Sequence, residues 1–128
     1  MINKAKKIVK FADLAAWQEA YSLVLLTHKV TNHFPKEEFY SLTDQMKRAA
    51  TSVASNAAEG FGRQGYKEKI QFYYLVKGSL TELENQLLIF NGLNYLNQAT
   101  SSEMQQKVTH TQKLLHGLIR KTKSFINP

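Results

Sequence analysis

Residues 42 to 60 carry Leu42, Met46, Ala49, Val53, Asn56 and Gly60 at alternating steps of four and three. Since an α-helix turns once every 3.6 residues, this spacing holds all six on one side and forms a heptad seam. Around its C-terminal half the side chains shrink to Ala49, Ala50, Ser52, Ala54, Ser55, Ala57 and Ala58, so another backbone is expected to approach closely there. The same periodicity recurs three more times. Residues 13 to 31 place Leu14, Trp17, Tyr21, Val24 and His28 on one stripe, widened by Ala16, Ala20, Leu23 and Val30, with Asp13 as the expected N-cap. Ser41, with Asp44 three residues on, opens the seam helix. From 66 to 97, Tyr73, Val76, Leu80, Leu83, Leu87 and Phe90 form a seam. Beside it runs a second stripe of Phe72, Leu75, Ser79, Glu82, Gln86, Ile89, Leu93 and Leu96, which asks for more than one packing partner. Thr100 with Glu103 reads as a capping box opening a last helix through Met104, Val108, Thr111, Leu115, Leu118, Thr122 and Phe125.

No window alternates apolar and polar residues between turn signals, so no strand is expected. Pro35 disfavours helical geometry at Phe34, and Pro35 to Glu38 reads as a short turn within a connection. The expected fold is all-α: an antiparallel up-and-down four-helix bundle, a single domain over 1–128 with a basic N-terminal arm at 1–10.

At 128 residues with 43% hydrophobic content, the chain can bury a core of its own. It has no cysteine, which excludes disulfides and thiolate metal sites. No stretch approaches a membrane span or a signal peptide, so a soluble, cytoplasmic protein with no membrane partner is expected. The net charge of +7 is concentrated at the ends, in Lys4, Lys6, Lys7 and Lys10 and then in Lys107, Lys113, Arg120, Lys121 and Lys123. A polyanion would meet the termini first; the competing reading is that lysine-rich ends serve solubility.

The stretch "NAAEGFGRQG" contains Gly60, Gly62 and Gly65 in the G-x-G-x-x-G spacing of dinucleotide-binding loops. Such a loop grips pyrophosphate only where a strand runs into a helix, and here a helix precedes it. The expected role is a helix terminator and turn, with Gly60 or Gly62 as a left-handed C-cap. His28, His33, His110 and His116 have none of the spacings that bundle metal sites use, so neither metal nor cofactor is expected. No local trio of nucleophile, base and orienting group marks a catalytic site. Asn56, Glu59, Ser79 and Glu82 interrupt apolar stripes and read as a mutually hydrogen-bonded structural polar cluster. Lys47, Arg48, Arg63, Lys67, Arg120, Lys121 and Lys123, with aromatics nearby, are the candidate nucleic-acid contacts; Arg63 and Lys67 flank the free amides that start the third helix. Their competing role is a solvated face paired with Glu59 and Glu68.

The segments "FADLAAWQEAYSL", "FPKEEFYSLTDQMKRAATSVASNAAEGFGR" and "YLVKGSLTELENQL" resemble the small bacterial proteins named for intervening sequences in 23S ribosomal RNA genes. The resemblance runs from about Phe11 to Leu118 and rests most on Asn56-x-x-Glu59-Gly60 and Gly78-Ser79-Leu80-x-Glu82-Leu83-Glu84. It implies a homopentamer of four-helix bundles. It also implies kinship with the accessory variability determinants of diversity-generating retroelements, which associate with RNA and reverse transcriptase through a basic surface. Met46-Lys47 stands where that family more often has Ile-Arg, and Lys77 adds a cation beside Gly78-Ser79. The expectation is therefore a non-catalytic homo-oligomer, pentameric by resemblance, that binds structured RNA or scaffolds a ribonucleoprotein. The alternative is a protein-interaction hub with no nucleic-acid role.

Overall fold

Apolar residues three and four apart wind into four helices, α1 (Ala15–Thr31), α2 (Leu42–Gly62), α3 (Tyr66–Gly92) and α4 (Gln98–Ile126), after a 3-10 turn at Phe11–Asp13. The computed structural model describes residues 7–36 and 41–127, among which there is no strand. Residues 1–6 of the basic arm, and the part of the expected Pro35–Glu38 turn beyond Lys36, lie outside the described residues. Helix α1 packs on α2, α2 on α3, α3 on α4 and α4 back on α1, so the four enclose one core. Leu23, Met46, Val53, Leu80, Leu83, Phe90, Met104 and Val108 fill it and are fully buried. Removing each such side chain from water stabilises the fold by roughly 1.5 to 3 kcal/mol.

Several local expectations are corrected. Asp13 does not cap α1, whose N-cap is Leu14. Its carboxylate instead accepts from the amides of Val9 (3.0 Å) and Lys10 (3.1 Å), tying the arm to the 3-10 turn. The buried face of α1 is Ala16, Ala20, Leu23, Thr27 and Val30, while Tyr21 and His28 are exposed. Small residues let the helix axis settle close to its neighbours, and the bulky aromatics rotate to the flank. Helix α3 stops at Gly92 instead of running to 97. Asn94, at φ 61°, holds the left-handed position, with Tyr95 N bonded to Phe90 O and Asn94 N to Asn91 O. Those two bonds make a Schellman turn in which asparagine replaces the usual glycine. Tyr95 then packs on Phe34 and Phe90. Helix α4 starts three residues earlier than the Thr100 capping box implied, because Asn97 is its cap and accepts from Thr100 N at 2.8 Å.

Neither Gly60 nor Gly62 is a left-handed cap. All described glycines have negative φ, and α2 runs through both before ending at Arg63 in extended conformation. Gly60 is buried, and a Cβ placed there would meet Tyr73 Cε1 at 2.7 Å and Phe72 Cβ at 2.9 Å. It is a contact glycine that lets α3 press onto the last turn of α2. Gly65 is the N-cap of α3. The connection thus begins one turn later than the glycine spacing suggested.

Candidate nucleic-acid interface

Arg63 ends α2, and its guanidinium lies 4.6 Å above the Phe72 ring while its NH2 group reaches Glu59 at 3.4 Å. Four residues on, in the first turn of α3, stands Lys67, which is exposed. The last turns of α4 come to the same end of the molecule, because the rings of Phe125 and Tyr66 stack 5.0 Å apart and Lys123 Nζ lies 5.5 Å from the centroid of Tyr74. Lys121 and Arg120 are exposed on those turns. Arg63, Lys67, Arg120, Lys121 and Lys123 are therefore gathered at one end, where the nearby acids in sequence are Glu59 and Glu68. Phe11 carries the N-terminal arm to the same end, lining a shallow cleft of about 660 Å³ with Ser55, Ala58, Glu59, Gly62 and Arg63.

Lys47 and Arg48 do not join this group. They sit in the second turn of α2, and the helix rises about 21 Å between Arg48 and Gly62. Arg48 faces Asp44 at 3.7 Å, an exposed pair that contributes little to stability. Lys69, not among the expected contacts, also lies at the cationic end but is engaged: its ammonium donates to the Phe61 carbonyl and sits 5.2 Å over the Phe61 ring. It braces the last carbonyls of α2, where a cation is favoured by the helix dipole. Burial lowers its pKa from the ordinary lysine value.

The polar cluster forms with different members. Ser52 Oγ and Ser79 Oγ are 2.8 Å apart across α2 and α3, and Asn56 Nδ2 donates to Ser52 Oγ at 2.9 Å and to Ser52 O at 3.0 Å. Ser52 is its hub, which the sequence had marked only as a small residue. Glu59 is not in the cluster, since its carboxylate is exposed and faces Arg63. Glu82 is exposed as well and accepts from Gln86 at 3.4 Å. Both carboxylates stay on the rim, where water solvates them, while the groups of Ser52, Ser79 and Asn56 bond to one another inside; burying a carboxylate would cost more. Phe125, expected to face inward, is half exposed because α4 outruns α1 at this end. The exposed aromatics Tyr66, Tyr74 and Phe125 were detectable only as aromatics lying beside lysines in sequence.

A second groove brings His28, Asp44, Thr51, Ser52 and Ser55 together. There Asp44 faces Arg48, and Ser52 Oγ is held by Ser79 and Asn56. His110 Nδ1 lies 3.5 Å from Glu19, whose other oxygen meets Lys107 at 3.0 Å. Among the described residues, no three His, Asp or Glu side chains gather as a metal site would need. Among the described residues, no helix is long and apolar enough to cross a membrane.

The profile of the 23S rRNA-intervening sequence protein family matches residues 12–117. The chain belongs to that family. Its fold is shared with a solved structure of a protein of unknown function from the S23 ribosomal protein family of Bacteroides thetaiotaomicron. That superposition has a TM-score of 0.76 at 17% identity and covers 82% of this chain and 95% of the other. No curated protein matches the sequence. Family membership and the shared fold place the matched span on all four helices, including Arg63 and Lys67. The last turns of α4, with Arg120, Lys121 and Lys123, lie beyond the matched residues.

Proposed function

We propose that this member of the 23S rRNA-intervening sequence family is a non-catalytic RNA-binding scaffold of the cytoplasm, working as a ring of up-and-down antiparallel bundles. The observation that carries the reading is the convergence of Arg63, Lys67, Lys121 and Lys123 on one end, from two segments far apart in sequence, the α2–α3 connection and the last turns of α4. Cations gathered this way neutralise neighbouring phosphates and release their counterions. Antiparallel topology is supported by opposed register: Gly60 meets Tyr73, and Ser52 meets Ser79 eight residues back on one helix and six on along the other. The non-catalytic reading is supported by the hydroxyls, which serve packing: Thr27, Thr31, Thr111 and Thr122 bond to carbonyls one turn back, and Ser52 bonds to Ser79.

Assembly is supported by two separate apolar faces left in solvent. Phe11, Tyr21 and Leu25 lie on the N-terminal segment and α1, and Leu75, Ile89 and Leu93 on one stripe of α3. Two unlike faces fit a head-to-tail contact, which closes into a ring when the rotation allows. The number five comes from the family resemblance. The test is titration of a structured RNA by fluorescence anisotropy at about 50 mM and about 200 mM salt, where several phosphate contacts make affinity fall steeply. Arg63→Ala with Lys123→Ala should weaken binding about tenfold and flatten the salt slope, with Arg48→Ala close to the parent protein. Absence of binding at the lower salt would leave the apolar faces as the surfaces of a protein-interaction hub.

A further inference from the structure

Three aromatic rings stand in solvent at the cationic end: Phe125 is 51% exposed, Tyr66 44% and Tyr74 41%. Phe125 and Tyr66 stack on each other with planes 22° apart, and the Lys123 ammonium sits over Tyr74. Arg63 lies over Phe72 in the same neighbourhood. Neutralising phosphates requires none of these rings, because it is a matter of cations alone. Apolar rings held in water beside cations are instead what a nucleobase face recognises. A duplex keeps its base faces inside its own stack, whereas loops and bulges present them. Among the described residues, α2 ends at this end, α3 begins there and α4 finishes there.

Resting on the RNA reading above, we propose that this end takes an unpaired RNA segment. One base continues the Tyr66–Phe125 stack and a neighbouring base meets Tyr74. The intervening phosphates lie on Lys67, Lys121 and Lys123, with Arg63 at the edge. Recognition is by stacking and charge, so it tolerates many base sequences and selects for strandedness. The two stacked rings are both about half in solvent, which is the surface a base would cover.

The test compares two labelled probes by anisotropy, an unstructured oligouridine of about 12 nucleotides and a blunt RNA duplex of about the same length, within the site size expected for such strands. The oligouridine should bind about tenfold tighter than the duplex. Tyr66→Leu with Phe125→Leu keeps apolar bulk while removing the ring faces, so thermal melting should match that of the parent protein. In that variant oligouridine affinity should fall about tenfold or more, with duplex affinity and salt slope unchanged. Equal or tighter duplex binding, or parallel loss of both affinities in the leucine variant, overturns the single-strand assignment and leaves general RNA binding standing. Failure of both probes to bind at about 50 mM salt overturns RNA binding and this assignment together.

Discussion

Gly60 and Tyr73 meet where α3 presses onto the last turn of α2, and each carries a measurable consequence. A valine at 60 would drive its Cβ into Tyr73 and Phe72, at 2.7 and 2.9 Å in the present packing. The backbone of α2 or the Tyr73 ring must then shift, and overpacking of this kind costs about 1 to 3 kcal/mol. Gly62 has open space around it, so Gly62→Ala should be neutral or mildly stabilising. Urea unfolding of Gly60→Val and Gly62→Ala side by side checks both, and equal midpoints would contradict the contact role of Gly60. Tyr73 is buried, and desolvation pushes its hydroxyl pKa up to about 12 from 10.0. In the unfolded chain it ionises near its ordinary value. Between pH 10 and pH 12 the unfolded state therefore gives up a proton that the folded state keeps. The contribution of Tyr73 is intact below pH 10 and is lost as pH rises through 12, by roughly 2 to 3 kcal/mol. Stability measured across that range should decline less in Tyr73→Phe than in the parent; identical alkaline slopes would argue against this ionisation.

At the scale of elements, the helices were legible because their seams repeat every three or four residues, and Tyr73, Val76, Leu80, Leu83, Leu87 and Phe90 are all buried as that spacing implies. Their ends were less legible. Thr100 and Glu103 have the letters of a capping box, yet Asn97 takes the cap because its side chain reaches the Thr100 amide first along the chain. Asn97→Ala should lower stability by about 1 kcal/mol, whereas Thr100→Ala should change it little; denaturant unfolding separates the two. The Schellman turn at Asn94 was hidden for a similar reason. Asparagine tolerates the left-handed conformation, but only the hydrophobic clasp of Tyr95 with Phe34 and Phe90 decides that α3 stops there. The polar cluster was half legible. Asn56 and Ser79 stood out as polar residues in apolar stripes, and Ser52, short enough to pass for a packing residue, joins them because α2 lies close to α3.

For the whole molecule, the proposed ring makes a prediction about complementation. Leu25→Glu spoils the α1 face and Leu75→Glu the α3 face. Under head-to-tail assembly each variant alone is reduced to a monomer, and an equal mixture forms heterodimers through the two faces left intact. Light scattering after size exclusion reads all three samples. If one variant assembles normally by itself, the contact is isologous or lies elsewhere.

What the sequence determined by itself was the number and approximate extent of the helices, the absence of sheet signals, and the excess of cations at the chain ends. These follow from local periodicity and composition, which need no knowledge of what lies across the core. Tertiary structure decided which cations belong together. Arg63 and Lys123 are sixty residues apart in sequence and become neighbours at one end through the ring contacts of Tyr66, Phe72, Tyr74 and Phe125. Lys47 and Arg48, much nearer to Arg63 along the chain, are carried away by about 21 Å of helix. A rigid helix turns sequence distance into spatial distance, while packing between helices brings remote turns together, so the site could be read only once the helices were docked.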